Sequence, residues 1–145
     1  MDSFYLFLKG FHNLLRWLVV LGGVYAIALM LRGVFTQVRW GATETGAARL
    51  FTISMHTQLV VGIALYGLTP LIAAGMSAPL SDRLLLIEHA STMILAVVAA
   101  QLGTSLSRRA KDDRGKFRRA LLWYAVAALF IAWATPWGRN LIPWV

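Results

Sequence analysis

Three histidines, His12, His56 and His89, carry most of the chemistry open to this chain. Each lies in or beside a long apolar run. There an ionisable side chain is costly and generally faces a bundle interior or a polar cavity. Imidazole nitrogens in such a setting are suited to holding a metal ion or a haem iron. The spacing excludes a zincin pattern, because no two histidines are separated by one or two helical turns. Cysteine is absent, which removes disulfides, Cys-ligated zinc, iron–sulfur clusters, CXXCH-type covalent haem and thiol nucleophiles. Gly22-Gly23 is flanked by apolar residues and is no phosphate loop. Ser81, Ser91 and Thr92 near His89 form no readable triad.

The elements that must position these groups are membrane spans. Hydrophobic residues make up 59 % of the 145 positions and charged residues only 14 %, whereas soluble chains have about a quarter charged residues. The mean hydropathy is +0.66. Apolar runs of the ~20 residues needed to cross hydrocarbon extend from Leu14 to Leu31, Leu50 to Ala74, Leu84 to Leu102 and Ala120 to Trp137. The first extends back through Phe4–Leu8 if the helix continues. Four such runs leave no polar surface to cover them. The expected fold is an all-α membrane protein, one domain over 1–145, with four transmembrane helices in an antiparallel up-down-up-down bundle.

Charge fixes the expected direction. The segment 105–119 and Arg32, Arg39 and Arg49 together hold ten of the fourteen basic residues, leaving Lys9, Arg16, Arg83 and Arg139 for the other side. Basic residues in short loops stay cytoplasmic, so both termini are expected outside the cytoplasm. The net charge of +8 is then topogenic, with anionic lipid headgroups as a minor partner, and nothing requires nucleic acid. Met1-Asp2-Ser3 lacks a basic n-region, so the first run is expected to be a retained span. Trp40, Trp123 and Tyr124 are expected at the inner interface, Trp137 and Trp144 at the outer one. Residues 41–46 read as a turn, residues 75–82 as another, with Ser81 or Asp82 capping the third helix. Small-residue pairs Gly22/Ala26, Ala96/Ala100, Ala99/Gly103 and Ala128/Ala132 are expected at helix contacts.

Depth selects among the histidines. His12 lies just before the first run, and His89 is about six residues, or ~9 Å of helix, beyond Arg83; both fall in the outer half. His56 enters from the inner side, about seven residues or ~10 Å past Arg49, and is expected in the opposite leaflet. Diagonal helices of a square bundle are roughly 12–14 Å apart, a gap two inward imidazoles can span around one iron. The preferred metal pair is His12 with His89. His56 is the alternative, with Met30 or Met55 as its only candidate partners. Arg16, one turn below His12, is placed to pair with a haem propionate. Glu88 is read as a partner of Arg16 or a proton carrier, and Met93 as packing on a porphyrin edge. A plainer reading also stands. Arg16 and His12 would sit among headgroups, Glu88 would pair with Arg83, and His56 would hydrogen-bond a neighbouring helix.

Phe11-His12-Asn-Leu-Leu-Arg16-Trp17, His56-Thr-Gln58-Leu-Val-Val-Gly62-Ile-Ala-Leu-Tyr66, Glu88-His89 and Pro136-Trp137 resemble, in order and spacing, a family of small four-span bacterial membrane proteins labelled cytochrome-b-like. A weaker similarity links Tyr5-Leu-Phe-Leu-Lys9-Gly-Phe-His12 to the haem-containing membrane protoporphyrinogen oxidases. That family carries a basic residue in its third span where this chain has Glu88-His89. Both resemblances imply haem b and a bacterial inner membrane, and neither supplies a substrate. The leading expectation is a b-type haem protein that transfers electrons, with quinone as a candidate partner. The alternative is a non-catalytic accessory or assembly subunit of a larger membrane complex; a protoporphyrinogen-oxidase-like enzyme and a small-solute or proton transporter rank below it.

Overall fold

A computed structural model of the chain describes residues 2–69, 72, 74, 77 and 79–135. Four long helices account for nearly all of them: α1 (Asp2–Phe35), α2 (Ala42–Leu68), α3 (Leu80–Arg108) and α4 (Asp113–Ala134). Each is long and apolar enough to cross a membrane. The chain is a four-helix integral membrane protein.

Local chemistry explains where the helices stop. Thr69 and Thr135 precede Pro70 and Pro136, and both adopt extended backbone, with φ/ψ of −66°/134° and −75°/123°. A residue before proline is pushed out of the helical region by the ring. For this reason α2 ends at Leu68, short of the Ala74 expected from hydropathy, and α4 ends at Ala134. Residues 136–145, including Trp137, Arg139 and Trp144, lie outside the described residues.

The starts also differ from expectation. Residues 42–46, read as a turn, form the first turn of α2, because Glu44 sits at the position that can reach back to the N-terminus. Its Oε2 accepts from the Gly41 N–H at 2.9 Å, and its Oε1 accepts from Arg32 Nη2 at 3.0 Å. Glu44 is buried. One carboxylate therefore ties the end of α1 to the start of α2. Glu44→Ala is expected to lower stability by about 2 kcal/mol, the cost of a cap and a charged hydrogen bond lost together. Unfolding in mixed micelles measures it, and Thr43→Ala, at an exposed neighbour, should change little. Pro79 caps α3 without a side-chain bond, so Ser81 and Asp82 fall inside the first turn. The basic segment is mostly helical, and only residues 109–112 separate α3 from α4. The Asp112 side chain accepts from Gly115 N–H at 3.1 Å and starts α4.

Neighbouring helices pack in the ring α1–α2–α3–α4, with α4 returning to α1. Arg32 meets Glu44 at one end of α1 and His12 meets Gln58 towards the other, so α1 and α2 run antiparallel. Tyr124 bonds Thr104, and His89 meets Ala134, so α3 and α4 do too. Helices α1 and α3 thus occupy one diagonal, α2 and α4 the other.

Packing is uneven along the bundle. The end carrying residues 36–41 and 109–112, rich in Arg and Lys, is closed by Met30, Phe51, Phe117 and Tyr124, all fully buried. Phe51 and Tyr124 meet edge-to-face at 5.2 Å, and Phe117 packs on Trp40 at 5.0 Å. Glycines allow these rings their places: a Cβ on Gly33 would overlap the Phe117 ring, and one on Gly103 would lie 2.6 Å from Tyr124. Tyr124 is no interface residue. Its hydroxyl bonds Thr104 at 2.8 Å, and Thr104 bonds Thr52 at 2.6 Å, so burial is made tolerable by a closed hydroxyl chain. The pairs Gly22/Ala26, Ala96/Ala100 and Ala99/Gly103 are buried. Ala132 is exposed and Ala128 half-buried; α4 instead turns Ala120, Tyr124, Ala127, Ile131 and Ala134 inward.

The histidine end is looser. Helix α2 buries no described side chain after Met55, and α3 none before Ala96.

Candidate functional site

In that loosely packed half the two diagonal helices bring His12 and His89 together. Their ring centres are 6.5 Å apart, with an interplanar angle of 70°. Both rings are half-buried. A single metal bonded to one nitrogen of each ring at about 2 Å requires ring centres roughly 6 Å apart. The observed separation is close to that distance, and the rings meet in an edge-type arrangement.

Each imidazole has one nitrogen engaged by the protein. His89 Nδ1 lies 2.8 Å from the Ala134 carbonyl oxygen. A carbonyl only accepts, so Nδ1 carries the proton and Nε2 keeps its lone pair. This is the arrangement by which a carbonyl orients a metal-ligating histidine. The acceptor exists because α4 reaches its last turn at Ala134, opposite the first third of α3.

His12 is held from α2. Gln58 Nε2 donates to the His12 carbonyl oxygen at 3.1 Å and lies 3.1 Å from His12 Nε2. With the amide nitrogen donating, His12 Nε2 accepts and Nδ1 carries the proton. Turning the amide over would set Oε1 against the His12 carbonyl oxygen, two acceptors face to face, so the amide nitrogen donates and the His12 Nε2 lone pair is taken by Gln58 unless a metal displaces it. His12 Nδ1 and Gln58 Oε1 are both buried without a hydrogen-bond partner, and such orphans are uncommon enough to need a cause. Gly62, one turn beyond Gln58, lets the ring approach α2: a Cβ there would lie 3.3 Å from His12 Cε1. Gln58 and Gly62 are site residues that the sequence alone does not reveal. Their four-residue spacing, with His56 on the opposite face, was the available signal.

The other residues divide. Arg16 is half-buried one turn from His12, with its guanidinium 6.0 Å from the Trp17 ring centre. Met93 is half-buried one turn from His89. Glu88 is exposed and accepts from Trp133 Nε1 at 3.0 Å, on the outward side of α3 and α4. His56 is exposed too, its Nδ1 2.7 Å from Thr52 O, whereas Met30 and Met55 are buried. The depth expected for His56 is corrected. Helix α2 starts eight residues before Leu50, and His56 lies only two residues, about 3 Å along the axis, from the Gln58 that touches His12. Direction, not depth, separates His56 from the pair.

Among the described residues no group of three or more His, Cys, Asp or Glu converges. Two imidazoles complete a metal site only when other ligands supply the rest, as a porphyrin does. No family model, curated protein or solved structure matches the chain.

Proposed function

We propose that this protein is a b-type haem protein of the bacterial inner membrane that transfers electrons, with a membrane quinone as its redox partner. The observation that carries the reading is the apposition of His12 and His89 at 6.5 Å, in the half of the bundle with fewer buried side chains. His89 and His12 would hold the haem iron. Haem would supply a one-electron couple, and the protein would set its ligands, burial and solvent access. The Ala134 carbonyl holds the His89 ring, and Gln58 holds His12. Arg16 offers a positive charge to a propionate, and Met93 an apolar contact. The sequence resemblance to small membrane proteins labelled cytochrome-b-like points the same way; a protoporphyrinogen oxidase is disfavoured because Glu88-His89 stands where that family carries a basic residue in its third span.

Titrating the detergent-purified protein with ferric haem tests this. The expected result is a sharp Soret shift that saturates at one haem per chain and is reduced by a quinol. Absence of saturable binding contradicts it.

An accessory subunit is the second reading, and one observation favours it. His56 is exposed near the middle of α2, where an imidazole facing lipid is costly even with Nδ1 bonded to Thr52 O, and a partner helix would cover it.

The basic end is assigned to the cytoplasm and both termini to the outside. Reporter fusions at Val145 and at Lys111 check this. Cytoplasmic activity from the Val145 fusion, with none from Lys111, reverses the orientation without moving His12 relative to His89.

A further inference from the structure

The basic end carries a cavity of about 270 Å³, lined by Trp40, Thr45, Ala48, Ser107, Arg108 and Lys116. Its walls come from the α1–α2 connection, the first two turns of α2, the last turn of α3 and the first turn of α4. All four helices end at this level, so it lies where hydrocarbon gives way to headgroups.

The wall is rigid on one side and cationic on the other. Trp40 packs on the buried Phe117 and donates Nε1–H to Thr45 Oγ1 at 2.9 Å. Thr45 donates to the Gly41 carbonyl, and Ser107 to the Thr104 carbonyl. The hydroxyls have thus spent their protons within the protein, and the donors left for a ligand are cationic. Arg108 is exposed. Lys116 gives one of its three N–H donors to Asp113 at 2.8 Å. A ligand here must be an oxyanion at the Arg108–Lys116 side and must tolerate an apolar wall at Trp40 and Ala48. The volume equals about nine waters, room for a phosphate and part of a glycerol.

We propose that this cavity binds the phosphate of an anionic phospholipid headgroup in the leaflet on the basic side. Free phosphate offers the same oxyanion but neither the glycerol for the Trp40 wall nor acyl chains to enter the neighbouring hydrocarbon. Arg39, Arg109 and Arg114, exposed at the same end, add to the field that draws such lipids.

Native mass spectrometry of the full chain, released from micelles doped with phosphatidylglycerol or phosphatidylcholine of identical chains, tests the assignment. Phosphatidylglycerol should remain bound and phosphatidylcholine should not. Arg108→Gln/Lys116→Gln should lower phosphatidylglycerol retention about tenfold. Lys111→Gln/Arg118→Gln, an equal charge loss at exposed positions outside the cavity, should lower it less than about twofold. Equal losses in the two double variants, or equal retention of the two lipids, overturn the site. Displacement of the lipid by millimolar inorganic phosphate assigns the cavity to the free ion and overturns the lipid proposal. Circular dichroism checks the fold; should the double variant lose helicity, Arg108→Gln alone, at an exposed side chain, carries the comparison.

Discussion

His89→Ala is expected to abolish the low-spin haem spectrum, and His12→Ala to abolish it or convert it to a high-spin one. Both effects are all-or-none in amplitude, because a low-spin b-type iron needs two strong axial nitrogens. His56→Ala should leave the spectrum intact, since that ring faces away from the pair and its Nδ1 is spent on Thr52 O. Gln58→Ala should weaken haem retention by roughly 10–100-fold, the usual effect of removing a group that orients a metal ligand. Arg16→Ala should weaken retention or shift the midpoint potential. Glu88→Gln should leave haem content unchanged, because its carboxylate is engaged by Trp133. Optical spectra of the purified variants, normalised to protein, read all of these. Loss of haem in His56→Ala with normal haem in His12→Ala would sink the pairing.

A second large effect is expected at the packed end. Phe51 is fully buried, stacks edge-to-face on Tyr124 and packs on Gly23. Phe51→Ala should cost about 3 kcal/mol, from the cavity and lost dispersion contacts. The figure sits at the low end for this substitution because unfolded helices remain in lipid, where apolar transfer contributes little. Tyr124→Phe removes one member of the Thr52–Thr104–Tyr124 hydroxyl chain while keeping the ring. Hydrogen bonds between membrane helices are worth about 0.6 kcal/mol on average, so this change should cost less than about 2 kcal/mol even with Thr104 left short of a partner. Steric fit, not the hydroxyl chain, then holds this half of the bundle together. Unfolding in mixed micelles compares the two variants, and a larger loss for Tyr124→Phe contradicts that ranking.

The four spans and the diagonal placement of α1 and α3 were legible because both rest on long-range averages of hydropathy and on connection length. Helix ends were less legible. Hydropathy carried the second span through Pro70, whereas the backbone of Thr69 obeys its proline neighbour. Glu44 was read into a turn because its partner, Arg32, lies across a connection that sequence spacing does not reveal. Tyr124 resembled an interface aromatic until Thr104 and Thr52 arrived from two other helices to satisfy its hydroxyl. At the site, His12 and His89 could be paired from depth alone, since both enter from one end. Depth does not separate His56 from the pair; its face on α2 does. Gln58 was missed because its role depends on a ring and a carbonyl on another helix.

The central claim is that the less tightly packed half of the bundle holds haem between His12 and His89. The absorption spectrum of the detergent-purified protein from a haem-supplied host, recorded before and after dithionite, tests it most directly. The account predicts a Soret band and sharp reduced α and β bands. A colourless protein, correctly folded by circular dichroism, would contradict it and leave the accessory-subunit reading in its place.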